Sequence, residues 1–304
     1  MNSNLAEEVA DLIYSEFDYF ERPLSLKDTI LKFAFRLNKE TSRLSLTEDV
    51  LDRDLQKYIS SLLKREQDDR RRGLFCPYEV IVDNDEIVGF SYPRPSDSPL
   101  MGRLRQVAPE ISKVLDVIRG LEPSAFEHFC SRILDLLDAE ETFKTQDSKD
   151  EGIDFLGWLC IPETFTSVEF IPSFRKDFRM LVLGQAKRYK PENPIGVSQI
   201  RELIGTVAAF HHDQLAPWES RLKVSSFSLM SPILPLMMTT GRISQDARLL
   251  ARKCGVIARD GAEIALFICL EGIGMDEVEQ DGSSRLKFNH EKFMDWLTKR
   301  NPET

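Results

Sequence analysis

Two short segments carry residue types that together could hydrolyse a phosphodiester bond. Asp154 lies where one apolar run begins, and Gln185-Ala186-Lys187 lies at the end of a second apolar run. Asp154 and Gln185 are separated by 31 positions in the sequence. Alternate residues of a strand face the same side, so Gln185 and Lys187 would project together while Ala186 points away. If the two runs form neighbouring strands, the Asp154 carboxylate meets the amide and the ammonium.

These groups suit a hard divalent cation beside a phosphate. Asp154, Gln185 and the backbone carbonyl of Ala186 offer the oxygen ligands that Mg²⁺ or Mn²⁺ prefers. The Lys187 ammonium could hold an attacking water or stabilise charge that develops on the phosphate. Structural alternatives stay open, because Asp154 could simply begin a strand and Lys187 could be one of many surface lysines. Asp150 is a weaker ligand candidate in a turn.

Cationic and aromatic residues adjoin this candidate site. Arg188, Tyr189 and Lys190 follow the lysine directly, so the cations could contact phosphates and the ring could stack on a base. Arg242 lies in the turn 241–244 at a predicted helix start, where free N–H groups attract a phosphate oxygen. A solvated strand end and an ordinary strand-to-helix connection are the structural alternatives.

Other metal-binding residue types indicate no second site. The five cysteines are scattered singly, without a C-x-x-C pair, which argues against a zinc ribbon or a disulfide scaffold and favours buried thiols. His128 and the pair His211-His212 lack partners at metal-ligand spacing, so we expect them to be structural.

The elements that must position the candidate site alternate between helix and strand from Gly120 onward. The periodicity predicts helices over 124–137, 198–211 and 244–253, and strands over 155–160, 179–185, 236–239 and 256–258, followed by an apolar segment at 264–270. This alternation implies an α/β fold, with a sheet flanked by helices and short strands buried on both faces.

The first hundred residues predict a smaller, mostly helical domain that ends in a β-hairpin. The predicted elements are helices over 4–17 and 25–37, a third helix around 51–63, and strands over 78–82 and 87–90. This order resembles a winged helix in element order only, and an unspecialised α+β unit is the alternative. Pro93, Pro95 and Pro99 then mark a linker.

Length, charge and hydropathy limit the classes of protein to consider. A chain of 304 residues can hold two domains with separate cores. No apolar run approaches the roughly 20 residues that cross a bilayer, and the acidic start is unlike a secretory signal, so we expect a cytoplasmic protein without a membrane partner. The net charge of -10 excludes a chain-wide basic field, yet residues 174–259 hold 14 Lys/Arg against 6 Asp/Glu.

The motifs, taken in order, resemble the Mrr-like restriction endonucleases, a branch of the PD-(D/E)xK nuclease superfamily in which the acidic residue before the lysine is often Gln. The matching segments are Phe126-Glu127, Gly152-Ile153-Asp154, Gln185 to Tyr189, Ile200 to Gly205, Thr239 to Ser244 with Ala247, and Asp260-Gly261. They cover roughly residues 120–270, half of the chain. A lone Q-x-K would carry no weight, whereas the ordered set is specific.

The resemblance implies a restriction-endonuclease-like fold and a role for each matched residue. Asp154 would be the central metal ligand, Gln185 the second ligand and Lys187 the catalytic lysine. Glu127 would be the helix-borne acid that completes the metal shell. The sequence itself offers an alternative for Glu127, because Ser124 and Glu127 are spaced as a capping box, in which the Glu side chain bonds the backbone at the helix start.

The sequence also departs from the family pattern. Glu151 stands where the family usually has glycine, and long insertions follow Gly157 and His211. The insertions affect the expected shape of the substrate channel more than the chemistry. The family's usual winged-helix sequence is not recognisable in residues 1–98, so the resemblance gives no target selection.

Four parts make up the expected domain organisation. We expect a recognition or partner domain at 1–98, a linker helix region at 99–119, an Mrr-like nuclease domain at 120–270 and a helical extension at 271–304.

The first functional hypothesis is a Mg²⁺-dependent endonuclease that acts on DNA, with restriction or defence against foreign DNA implied by the family.

Several alternative functions are compatible with the same residues. One is a nucleic-acid-binding or interaction module that no longer cuts, although the joint retention of Asp154, Gln185 and Lys187 weighs against it. Others are a resolvase or transposase-type nuclease and an RNase, since the same residues serve several polymers. A homodimer would suit an enzyme that cuts both strands, and an activating partner protein is left open.

Overall fold

The computed structural model describes residues 2–41, 48–145, 152–160, 179–190, 192–212, 232–280 and 283–299. Asp150, Glu151 and most of the two expected insertions lie outside the described residues. None of the described helices has the length and apolar character needed to cross a membrane.

The chain divides into two compact units. The first comprises residues 1–112 and 276–287, and the second comprises residues 113–275 and 288–304. In chain order the elements are α1 (Asn2–Glu16), β1 (Leu24–Ser25), α2 (Leu26–Thr41), α3 (Glu48–Arg71), β2 (Tyr78–Ile81), β3 (Glu86–Gly89), α4 (Pro99–Val107), α5 (Ile111–Gly120), α6 (Pro123–Leu136), β4 (Ala139–Lys144), β5 (Phe155–Cys160), β6 (Arg179–Lys187), α7 (Val197–His212), β7 (Ile233–Thr239), α8 (Gln245–Lys253), β8 (Ile257–Arg259), α9 (Gly261–Leu270), β9 (Met275–Gln280), β10 (Ser283–Phe288) and α10 (His290–Thr298).

Three helices and a hairpin form the core of the first unit, which confirms the elements predicted there. Apolar side chains at helical spacing, among them Ile13, Ile30 and Leu62, are fully buried together with Tyr78 of β2. Strands β2 and β3 pair antiparallel, and the two-residue strand β1 adds to β3 to give the order β1-β3-β2. β1 is too short to be predicted from periodicity.

A five-stranded mixed sheet forms the centre of the second unit, which confirms the predicted α/β fold with a sheet flanked by helices. The strand order is β4-β5-β6-β7-β8, with antiparallel pairing from β4 to β6 and parallel pairing from β6 to β8. The strand β6 is buried on both faces, as its apolar run predicts.

The two faces of this sheet are covered by different helices. Leu181 and Leu183 of β6 belong to one apolar cluster with Phe210 of α7. Val182, between them, lines an apolar cavity of about 550 Å³ with Leu134 of α6 and other apolar residues of the strands and α9. Since alternate residues of a strand face opposite sides, α7 covers the face that also carries Gln185 and Lys187.

The second half of the chain contains one strand that was not predicted, and it departs from two expectations. β4 was not predicted, because a bulge between Glu140 and Phe143 and a positive φ at Glu141 break its alternation. Residues 271–304, expected as a helical extension, contain the paired strands β9 and β10 before α10. Cys254, expected to be buried, is exposed at the C-cap of α8.

The pairing of β5 with β6 leaves no space for a side chain at Gly184. A Cβ placed there would lie 2.1 Å from Cε2 of Phe155, the residue opposite it in the register. Gly184→Ala is therefore expected to lower the free energy of unfolding by about 1–3 kcal/mol, as overpacking of a buried site does. Urea denaturation followed by circular dichroism measures this change.

Gly205→Ala is the matched control, because among the described residues nothing outside the adjoining backbone of its own helix lies within 4 Å of a Cβ at this position. It should be neutral or stabilising by up to about 1 kcal/mol. Equal stability of the two variants would contradict the packing described for Gly184.

Candidate active site

Asp154, Gln185 and Lys187 lie at one end of the central sheet. The register pairs Phe155 with Gly184 as the last pair of the ladder. Asp154, which precedes Phe155, therefore lies next to Gln185, which follows Gly184. The Asp154 N–H donates to the Gly184 carbonyl at 2.9 Å, and Oδ2 of Asp154 accepts from the Ala186 N–H at 2.7 Å. Both ends of the aspartate are thus fixed to β6.

The charge on Asp154 is balanced by opposing influences. Burial raises its pKa above the ordinary value, and the neighbouring Glu127 carboxylate raises it further. The Ala186 N–H and the cations of Lys187 and Lys144 lower the pKa. A divalent cation bound beside this carboxylate would offset the free-energy cost of keeping it ionised while it is buried.

Gln185 is fully buried, and its two polar atoms have different surroundings. Nε2 lies 3.4 Å from Oε1 of Glu202 on α7, whereas Oε1 of Gln185 has no hydrogen-bond partner among the described residues. A buried acceptor without a partner costs about 1–3 kcal/mol. This amide oxygen is therefore suited to a ligand that the protein itself does not supply.

Glu127 bonds a lysine rather than the start of its own helix. α6 begins with Pro123 after the N-cap Glu122, so the alternative of a capping box formed by Ser124 and Glu127 is wrong. Proline suits the first helical position because its missing N–H needs no partner there, which places Ser124 inside the helix. Glu127 instead pairs with Lys144 of β4 at 2.8 Å.

Sequence reasoning assigned no role to two residues that the structure places beside the candidate site. Lys144 lies opposite Phe155 on the unpredicted strand β4, and its Nζ also contacts the Ser124 carbonyl at 3.2 Å. Glu202, part of a matched motif, lies 3.5 Å from Nζ of Lys187. The helical spacing of α7 could have indicated an inward-facing acid, whereas nothing in the sequence identified Lys144.

The expected nucleic-acid contacts fall into two groups. Lys190 and Arg242 are exposed. Arg188 donates to the Arg119 carbonyl at 3.3 Å, and its guanidinium lies 4.0 Å from Glu122. The Tyr189 ring packs partly buried against an apolar cluster around α7 and α8, so its expected stacking on a base would require it to leave that cluster.

Two glycines of the matched motifs allow other backbone segments to approach the loops that carry these cations. A Cβ at Gly241 would lie 3.0 Å from the Tyr189 carbonyl oxygen, and one at Gly261 would lie 2.5 Å from the Thr240 carbonyl oxygen. The predicted helix start after this turn is confirmed, because Ser244 is the N-cap of α8 and its side chain accepts from the Ala247 N–H.

The histidine at the start of the domain has a structural contact. A ring nitrogen of His128 lies 3.1 Å from the Leu297 carbonyl of α10, as expected for a structural residue. Side chains of His211 and His212 lie outside the described residues.

The donors around Asp154 fit a divalent cation that is bound partly by neutral oxygens. Within the described ranges, no group of three or more His, Cys, Asp or Glu could hold a metal ion. A site here would therefore use the carboxylates of Asp154 and Glu127 with neutral oxygens of Gln185 and Ala186. The unpartnered, buried Oε1 of Gln185 supports this donor set.

Comparison with known families agrees with this location. Residues 118–216, about a third of the chain, match the Mrr_cat family model, described as Restriction endonuclease. The matched segment contains Glu127, Asp154, Gln185 and Lys187. The resemblance to the Mrr-like restriction endonucleases is therefore confirmed for residues 118–216.

Among solved structures, the chain is similar to two restriction enzymes. One is the DNA modification-dependent restriction endonuclease AspBHI, at 19% identity and a TM-score of 0.40, over 67% of this chain and 43% of that chain. The other is the MspJI restriction endonuclease in complex with a 27-mer oligonucleotide, at 16% identity and a TM-score of 0.35, over 60% of this chain and 36% of that chain. No curated protein matches the chain.

The raised pKa of Asp154 determines how its replacement should change stability with pH. A carboxyl whose pKa is higher in the folded state destabilises the fold once it ionises. Asp154→Asn keeps an acceptor for the Ala186 N–H and removes the charge, so the melting temperature without metal should rise at neutral pH.

This gain should be largest above the raised pKa and should disappear as the pH falls through it toward the ordinary value of 3.8. Thermal unfolding of both proteins in EDTA, from about pH 8 to about pH 4, measures the difference. A gain that grows toward low pH would contradict the described environment of Asp154.

Proposed function

We propose that this protein is a metal-dependent endonuclease that hydrolyses phosphodiester bonds of DNA. The observation that carries the proposal is the convergence of Asp154, Gln185 and Lys187 at one end of the sheet, with the Gln185 amide oxygen buried and unpartnered. The match of the same segment to the restriction endonuclease family supports this reading.

Four groups would hold the cation. They are the carboxylates of Asp154 and Glu127, the side-chain oxygen of Gln185 and the backbone carbonyl of Ala186. When bound, Mg²⁺ or Mn²⁺ supplies a more acidic bound water and positive charge beside the phosphate. With only two formal negative charges from the protein, affinity for the cation should be low until the DNA phosphate contributes its own oxygens.

The chain's own residues prepare the reaction. The Ala186 N–H orients Asp154 through Oδ2. The Lys187 ammonium would orient the attacking water and stabilise charge on the phosphate oxygens as the P–O bond breaks. Glu127 pairs with Lys144 through Oε2, so Oε1 would be the atom that binds the cation, and Lys144 would supply a second positive charge beside the site.

DNA would be held by cations around the same loops. Lys190 and Arg242 are exposed beside the end of β6 and before α8, and Arg188 is held by the contacts described above. Contacts of this type bind phosphates without reading sequence. We further propose that two copies act together on duplex DNA, because one site cuts one strand, and that the activity serves restriction or defence.

Cleavage by active-site variants tests the proposal. Asp154→Ala and Lys187→Ala should each lower the cleavage rate by about 10²-fold or more, because each removes a group that acts on the transition state. DNA affinity and melting temperature should stay close to wild type. Lys253→Ala, an exposed lysine at the end of α8, is the control.

The substrates are plasmid and linear duplex, methylated and unmethylated, together with single-stranded DNA and RNA, each with Mg²⁺, Mn²⁺ or EDTA. Metal-dependent cleavage of DNA by wild type, lost in both variants, is the expected result. Binding without cleavage under every condition would favour a nucleic-acid-binding module, and cleavage of RNA alone would make the protein an RNase.

Salt dependence of binding tests the cationic contacts separately. Lys190→Ala and Arg242→Ala should each weaken DNA binding across sequences and lower the magnitude of the log–log salt slope by about one. Fluorescence anisotropy at several salt concentrations measures the slope. Lys253→Ala should leave it unchanged, and equal slopes for all three variants would contradict the assigned interface.

A further inference from the structure

Glu202 of α7 contacts both residues of the Q-x-K motif with one oxygen atom. Its Oε1 lies 3.4 Å from Nε2 of Gln185 and 3.5 Å from Nζ of Lys187. Gln185 and Lys187 share the sheet face that α7 covers, so the helix brings this carboxylate to them from outside the strand. The comparisons with known proteins assign no role to Glu202.

The contact with Nε2 determines which end of the amide is free. A glutamine side chain has nearly the same shape when its oxygen and nitrogen are exchanged, so packing alone does not select an orientation. A carboxylate accepts from the nitrogen and repels the oxygen. Glu202 therefore favours the orientation in which Oε1 of Gln185 is the free atom, as the structure shows.

The surroundings of the Gln185 amide limit which other hydrogen-bond partners its nitrogen could have. Gly152 has a positive φ of 63°, and a Cβ at this position would lie 3.3 Å from Nε2 of Gln185 and 3.3 Å from Oγ1 of Thr206. The glycine thus lets the chain pass close to the amide before it reaches Asp154. Gln185 is fully buried, so water does not offer its nitrogen an alternative partner.

We propose that Glu202 is a positioning residue of the active site. It orients the Gln185 amide so that oxygen rather than nitrogen faces the divalent cation, and it holds Lys187 on the same side. This inference rests on the proposed function. It also explains why an amide can occupy the ligand position on β6, because a carboxylate at position 185 would lie in contact with the carboxylate of Glu202.

The pair can be tested by exchanging its two functional groups. Gln185→Glu alone places two carboxylates together, and Glu202→Gln alone removes the charge that orients the amide and holds Lys187. The double variant Gln185→Glu with Glu202→Gln restores one carboxylate and one amide, now with the carboxylate on the strand. A hydrogen bond between positions 185 and 202 can then form again in the reverse direction.

Calorimetric titration of the full chain with Mn²⁺, in the presence of a non-cleavable duplex, measures metal binding without reference to turnover. Glu202→Ala and Gln185→Glu should each raise the dissociation constant for Mn²⁺ by about 10-fold. The double variant should bind Mn²⁺ at least as tightly as wild type. Cleavage should follow the same order, with the losses in kcat rather than in KM for DNA.

The results separate this inference from the proposed function. If wild type cleaves DNA with Mn²⁺ and the two substitutions combine additively, or Glu202→Ala titrates like wild type, Glu202 is not a positioning residue. If wild type neither binds Mn²⁺ nor cleaves DNA, the proposed function itself fails. Melting temperatures identify a variant that does not fold, and in that case Glu202→Gln and the double variant, which are closest in shape to wild type, decide the question.

Discussion

The antiparallel register between β5 and β6 is the constraint on which the candidate site depends. It brings Asp154 to the end of β6, where the Ala186 N–H fixes its carboxylate. A shift by one residue would turn Gln185 and Lys187 to the opposite face of the sheet. The close contact of Gly184 with Phe155 opposes such a shift, so packing in the last pair of the ladder keeps Asp154 and Gln185 in place directly beside it.

The carboxylates and lysines of the site partly offset one another's charge, and a bound cation would stabilise the carboxylates further. The Glu127 carboxylate raises the cost of ionising Asp154, while Lys187 and Lys144 reduce it. The use of Gln185 in place of a third acid keeps a buried region from holding more negative charge than these lysines can offset. The same choice makes the site depend on the substrate phosphate for tight binding of a metal ion.

Much of the fold could be predicted from the sequence, because its elements follow strong local patterns. The helices α6, α7 and α8 and the strands β5 and β6 were all predicted, since apolar periodicity and turn residues define them. β4 was missed because its bulge breaks the alternation, and the hairpin of β9 and β10 was missed because its strands hold few apolar residues. The pairing of strands that are distant in sequence depends on the whole fold, so local patterns do not predict it.

The sequence predicted which residues lie at the end of the sheet, but it did not predict which side chains they contact there. Sequence spacing placed Gln185 and Lys187 on one face, which the structure shows through their shared contact with Glu202. The ion pair of Glu127 with Lys144 depends on the unpredicted strand β4. The orientation of an amide likewise depends on atoms that reach it from another helix.

The most direct test of the central claim is an anomalous diffraction map from crystals of the protein grown with a duplex and Mn²⁺. We expect one strong peak within coordination distance of the Asp154 carboxylate and the Gln185 side-chain oxygen, with Lys187 beside the adjacent phosphate. A map in which Mn²⁺ binds elsewhere, or in which Gln185 presents its nitrogen and Asp154 stays uncoordinated, would contradict it.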